Sequence, residues 1–364
     1  MKKTFGPIII ILIISAMLLL GFTYSKTPSV YLDDESLNFS LPVKNIYGRL
    51  YVPYKQFFSQ IQNTRLFSSN KFFLDQNTKL FKNLNTGEKI TINLRSFYGT
   101  VYIPLRSAAE FVGFKITWDN SLKRAYLKSP KNYVAVLAYG NIIPEKQKLD
   151  YLGKSFVTVE NFKSQMEYLH KNGYSTLDLA ALEAFIDGNM LVDKAVVLTF
   201  DGGYSNFYMY AYPLLKKYNF HGIVFVETTA VGRTSDLSYM GWNRLKELSK
   251  KGIIDVNSLT HNMYNFEGEA YRIMRTRPSE IIKDLKISRQ LIKILIEKEA
   301  SAIAYPHGIY NDAIIAYAKQ AGFDMGFTTK RGFVEVGDNK MTLHRNYMYD
   351  WMDLSYFKKI LNKQ

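Results

Sequence analysis

The stretch KAVVLTFDGGYSNFYMYAYPLLKKYNFHGIVFV, residues 194–226, decides the fold. Ala195 to Phe200 is an unbroken apolar run, too short for a helix and bounded by polar residues and glycines. Such a run is a strand buried on both faces. It ends in Asp201 and two glycines. Helical character follows over 206–218, and a second apolar run, GIVFVET, spans 222–228. Strand, acidic loop, helix and strand form the unit of a parallel sheet, because parallel neighbours need a crossover connection. In parallel sheets and barrels the working groups gather at the carboxyl ends of the strands. Asp201 is therefore the first candidate for chemistry.

Outward from this stretch the alternation continues. Further strands are predicted at 134–139, 254–258, 301–306, 325–329 and 342–348, and helices at 162–172, 179–187, 242–250, 279–298 and 311–321. Ser279, just behind Pro278, reads as the N-cap of the longest helix. Ile281, Ile282, Leu285, Ile292 and Leu295 give that helix one apolar stripe, which is core packing. Seven short strands alternating with helices predict an α/β domain over 133–364, its sheet closed as a deformed (β/α) barrel.

Residues 30–128 read differently, as a small β-rich domain with an internal echo. GRLYVPYK (48–55) and GTVYIPLR (99–106) each begin as a strand and reach a proline suited to opening a helix. The second copy runs on through a helix, a Gly113 stop and strands at 115–118 and 124–128. A polar linker, 128–132, joins the two parts.

Composition narrows the function. The chain has 364 residues, no cysteine and five histidines, so disulfides and thiolate metal sites are excluded. Any metal must rest on His, Asp or Glu. Two lysines precede an apolar run from Pro7 to Phe22, which marks residues 1–25 as a signal anchor or a signal peptide, with the anchor preferred. The remainder is then extracytoplasmic, tethered to the membrane or secreted. Net charge is +15, of which +10 lies in residues 1–130. Outside a cell such a surface is a solvated basic face or one drawn to anionic wall polymers and headgroups. Export argues against a nucleic-acid partner.

On these motifs residues 133–350 resemble the polysaccharide deacetylases of the NodB-homology type, carbohydrate esterase family 4, and within them the poly-N-acetylglucosamine branch. VAVLAYGNI, FKSQMEYLHKNGYSTLDL, the stretch 194–226 and AYPHGIYND carry the likeness. The first domain resembles copper amine oxidase N-terminal-like domains through IPLR and FVGFKITWD, although it holds no His or Cys.

The resemblance implies a divalent metal held by one aspartate and two histidines, with a separate aspartate as base. In the family's Thr-Phe-Asp-Asp-Gly motif the first acid is the base and the second a ligand. Here Asp201 stands on the base and Gly202 on the ligand. Leu259 falls on the first histidine of the second motif and Met263 or Tyr264 on the next, and the opening Tyr-His is Tyr139-Gly140. None of these replacements is a good ligand.

The expectation is a pseudoenzyme with no cofactor that binds cell-wall polysaccharide or peptidoglycan. Trp242, Tyr305, Pro306, His307, Gly308 and Arg345 are its substrate-contact candidates. Arg345, not His344, faces inward. Two alternatives stand beside it. One is an active N-deacetylase whose zinc or other divalent metal has moved to Asp201, His261 and His307. The other is a structural surface protein.

Overall fold

The computed structural model describes residues 27–62, 72–84, 87–129, 131–151, 155–234, 238–264, 266–267 and 270–362. The expected anchor, 1–25, lies outside them. Among the described residues no helix is long and apolar enough to cross a membrane. The chain divides into two compact units, Met1–Pro130 and Lys131–Gln364.

In the first unit the two echoing segments become neighbours. Strands Arg49–Pro53 and Thr100–Pro104 pair antiparallel at the centre of a four-stranded sheet, with Tyr51 opposite Pro104 and Pro53 opposite Tyr102. Each proline is the last strand residue and the N-cap of the helix that follows, Tyr54–Ile61 or Leu105–Val112. Its fixed φ ends one element and starts the next. A second four-stranded sheet holds Ser29–Leu32 between Arg124–Lys128 and Glu35–Leu37, with Lys115–Asp119 at its edge. Phe57, Phe81, Leu105 and Phe114 are among the residues packed between these elements.

In the second unit the elements that position the site are β1 (Tyr133–Tyr139), α1 (Val159–Lys171), β2 (Ala195–Asp201), β3 (Gly222–Val226), α2 (Trp242–Lys250), β4 (Ile254–Ser258), α3 (Pro278–Ile296), β5 (Ala302–Ala304), α4 (Asp312–Ala321), β6 (Met325–Phe327) and β7 (Asn346–Tyr347). β1 to β6 are neighbours in chain order and all parallel. Their side chains are buried almost throughout, as continuous apolar runs require. One core lies between the sheet and the helices, with Phe162, Leu198, Leu245, Leu285 and Phe323. A second gathers Val136, Val197, Phe225, Ala304 and Phe327 on the other face.

The last predicted strand is shorter than its sequence suggests. A 3₁₀ turn occupies Lys340–Thr342, and only Asn346 and Tyr347 pair with β1. Leu343, on the same segment, bridges Phe327 of β6. The segment 343–347 thus touches both the first and the last parallel strand. The long helix also begins differently. Arg277 is the N-cap and Pro278 takes the first helical position, where a missing N–H costs nothing, so Ser279 lies already inside. The helix expected over 206–218 opens with a π turn, Phe207–Ala211, directly after the acidic loop.

Candidate functional site

Asp201 is the last residue of β2 and is buried. Arg345 reaches it from the segment that bridges β6 and β1. Its Nη1 donates to Asp201 Oδ1 at 2.7 Å and its Nη2 to Oδ2 at 3.0 Å. Nε donates to the Thr328 carbonyl at 2.8 Å, and the side chain has no exposed surface. The Tyr347 hydroxyl donates to Asp201 Oδ2 as well. Three charge-assisted bonds therefore converge on one carboxylate, in the two-pronged geometry that guanidinium favours. Burial works against the arginine's charge, and the facing aspartate more than offsets it, raising its pKa. Burial, reinforced by Asp201, pushes the Tyr347 hydroxyl well above its ordinary range. Parity on the strand explains the arrangement. Leu343 and Arg345 are buried, whereas His344 between them is partly exposed, its ring beside Gly332. Arg345, expected to touch substrate, spends its guanidinium on Asp201 and Thr328 and presents none of it to solvent.

The positions that the family uses for metal ligands hold no donor set. Gly202 has φ +97°, and a Cβ built on it would lie 2.4 Å from the Tyr204 ring. The tyrosine fills the space that an acid would need. Leu259 is 2% exposed and packs in the second core with Phe225 and Phe327, and Met263 packs in the first. At Gly140 a Cβ would fall 2.7 Å from the Ser155 carbonyl oxygen, which accepts from the Asn141 amide. Apolar carbon, a thioether in a core and bare backbone do not suit a divalent cation. These residues do not fit the family's metal.

The displaced triad is not brought together either. His261 Nδ1 shares a hydrogen bond of 2.8 Å with Thr228 Oγ1. His307 Nε2 bonds the Tyr264 carbonyl at 2.8 Å, and its ring lies between those of Tyr264 and Tyr271, 4.2 and 4.5 Å away. Asp201 is committed to Arg345 and Tyr347. Among the described residues no three His, Asp or Glu side chains are placed to hold one ion. The loop carrying His261 is pinned from below. Asp284 of α3 accepts from the amides of His261 and Asn262 at 2.9 and 2.8 Å, and Ser258 bonds Ser288.

Around Asp201 the partly exposed side chains are aromatic. Residues 203–205 and 238–240 run side by side, which sets the Tyr204 and Tyr239 rings 5.0 Å apart. Tyr264, Tyr271 and His307 form a second stack. Trp242 opens α2 two residues beyond Met240 and is half-buried against the first core. Tyr305 and Pro306 are buried, and the Tyr305 hydroxyl donates to the Met341 carbonyl, so these two shape the loop rather than face a ligand. His307 takes φ +52°, and Gly308 passes so close to Thr329 that any Cβ would clash. That strained turn presents the His307 ring. Tyr204, Tyr264 and Tyr347 are the residues the sequence analysis missed. Tyr204 was signalled by its closeness to Asp201 in the chain and Tyr264 by its place in the 258–264 loop, whereas Tyr347, 146 residues from Asp201, had no local signal.

Beyond Tyr239 lies Glu227, just after β3. It is 7% exposed, and its Oε1 has no hydrogen-bond partner among the described residues. Burial pushes its carboxyl up to about 7, against the pull of Arg233.

With this geometry in view, the comparisons are specific. Residues 189–326 match the family model described as polysaccharide deacetylase. Over those residues this unit is similar to the polysaccharide deacetylases. YxkH of Bacillus subtilis is 28% identical over 191 residues, 52% of this chain and 64% of YxkH, so the chain spans less than two thirds of that relative's length. The poly-β-1,6-N-acetyl-D-glucosamine N-deacetylase of Staphylococcus aureus is 28% identical over 197 residues, 53% of this chain and 68% of that protein. Two solved structures share the fold. The deacetylase PplD of Streptococcus pyogenes aligns with a TM-score of 0.55 at 23% identity, covering 64% of this chain and 99% of PplD. IcaB from Ammonifex degensii gives 0.56 at 21%, covering 64% and 97%. The mixed α/β architecture expected from the sequence is the one these proteins share.

Proposed function

We propose that the second unit is a polysaccharide-deacetylase scaffold turned to glycan recognition, a pseudoenzyme that binds N-acetylglucosamine-containing wall polymer outside the cytoplasm. The observation that carries this reading is the filling of the former ligand space. The Tyr204 ring occupies the place of the second acid, and Leu259 and Met263 are core residues. Without a Lewis acid a general base alone contributes about 10²–10⁴-fold. Amide hydrolysis needs many orders of magnitude more. Asp201 is, on this reading, an anchor that ties β2 to the segment 343–347, and its pairing with both ends of the sheet supports a closed, deformed barrel.

What the chain offers instead is a set of half-exposed aromatic faces, Tyr204, Tyr239, Tyr264 and His307. Ligand sites are lined in this way, with aromatic walls and few polar groups. Trp242 and Gly308 are read as further contacts of the same ligand. The first unit is read as a copper amine oxidase N-terminal-like domain, and residues 1–25 as the membrane tether.

The rival reading is an N-deacetylase with a rearranged metal site, which the name of the Staphylococcus aureus relative favours. One experiment separates them. The full chain is incubated with poly-N-acetylglucosamine oligomers and zinc, and both binding and acetate release are followed. The proposal expects saturable binding, weakened at least about tenfold by Tyr239→Ala, without acetate release. Turnover that scales with zinc would favour the rival, and absence of binding to both the oligomers and peptidoglycan would remove the recognition role.

A further inference from the structure

The first unit carries a cavity of about 780 Å³, within the size range of small-ligand sites. Its walls come from the hairpin around Gly48, the start of the helix Leu105–Val112, and the hairpin 116–125. Three cations line it, Arg49, Arg106 and Lys123, and no Asp or Glu does so among the described residues. Arg106 shares its charge with Glu110 at 3.1 Å, outside the lining. Lys123 Nζ donates to Asn120 Oδ1 at 2.8 Å. The Arg49 guanidinium has neither an ion pair nor a hydrogen bond among the described residues. A concave wall of one sign concentrates the field and draws in anions.

The rest of the lining selects among anions. Trp118 offers an indole on which no other ring stacks among the described residues, and Asn45 and Asn120 offer carboxamides that both donate and accept. Tyr47, 97% exposed, stands at the hairpin tip beside Gly48. A sugar ring has an apolar face for the indole and hydroxyls for the carboxamides, but a neutral sugar leaves the three cations unused. A small inorganic anion uses the cations and leaves the indole unused. We propose that this groove binds an acidic carbohydrate polymer, one that bears carboxylate or phosphate groups along its chain. The site belongs to the first unit alone and does not depend on what the second unit does.

The test uses the full chain and titration calorimetry with four probes: polygalacturonate, a phosphomannan, dextran and a single-stranded DNA oligonucleotide. The proposal expects binding of at least one of the first two, and which of them binds identifies the acidic group. Arg49→Gln with Lys123→Asn weakens that binding at least about tenfold, as loss of paired charges does. Raising salt from about 0.05 M to about 0.5 M weakens it too, because these cations face solvent. Trp118→Phe retains part of the affinity and Trp118→Ala loses most of it. Arg49 is exposed and Lys123 half-exposed, so an unchanged thermal melt verifies that the double variant is folded. Tyr239→Ala, in the second unit, leaves the binding intact. Four results overturn the proposal: neither acidic polymer binds, the double variant binds as the parent does, dextran or DNA binds as tightly, or Tyr239→Ala abolishes the binding.

Discussion

Asp201 was legible in the sequence as an acid at the end of a buried strand, but its role was not. The carboxylate's fate depends on Arg345 and Tyr347, which lie 144 and 146 residues away. Only the alternation of Leu343, His344 and Arg345 hinted at the pairing. Breaking a buried ion pair from one side leaves an uncompensated charge, which costs about 3–5 kcal/mol. Asp201→Ala should therefore lower the unfolding free energy read from a urea titration by that order, more than the removal of a solvent-facing base would. Gly202 announced the missing acid but not what fills its place, since nothing in the sequence says that Tyr204 turns back over it. Gly202→Asp alone should destabilise by about 1–3 kcal/mol, because an L side chain is forced into a left-handed backbone and against the ring. Adding Tyr204→Ala should recover part of the loss, as read by thermal melting. Glu227 gives a pH signature. Its carboxyl titrates near 7 when folded and near its ordinary 4.5 when unfolded. Below the lower value both states hold the proton, and between the two values only the folded state does. Folding thus loses stability as pH rises from about 4.5 and the loss levels off above about 7. Glu227→Gln should match the parent near pH 4 and exceed it by up to about 3 kcal/mol at pH 8.

Elements were read best where periodicity was strong. The buried strands β1 to β4 and the helices behind them fall where their apolar runs place them, because burial on both faces leaves a continuous signature. The Gly113 stop holds, whereas the start of the long helix moved, because Pro278 rather than Ser279 opens it. The segment 342–348 was read as one strand, yet its apolar residues serve two partners, β6 at Leu343 and β1 at Asn346 and Tyr347. The loop 258–264 owes its shape to Asp284, a contact between β4 and α3 that no local pattern announces. Asp284→Ala leaves two buried-end amides without an acceptor, at about 1–3 kcal/mol. Hydrogen exchange at His261 and Asn262 should accelerate in that variant while the amides of β2 stay protected. Equal exchange at the two loop amides would show that the loop is held by something else.

At the scale of the molecule, two units of different construction share one chain. One pairs its duplicated segments across a sheet centre and gathers cations around a groove. The other shares the fold of deacetylases of known structure, packs the Tyr204 ring against Gly202 and buries Leu259 and Met263 in its cores. The likeness to polysaccharide deacetylases was readable from motifs because motif residues sit at strand ends, where spacing is fixed by the sheet. The state of the site was half-readable: Gly202 and Leu259 announced the loss of ligands, whereas the partners that hold His261 and His307, Thr228 and the Tyr264 carbonyl, needed the loops. The most direct measurement is zinc stoichiometry. The full chain is equilibrated with excess zinc, dialysed against metal-free buffer and assayed by atomic emission. The expectation is far less than one ion per chain, unchanged in a His261→Ala, His307→Ala double variant. One tightly held zinc per chain, lost in that variant, would contradict it.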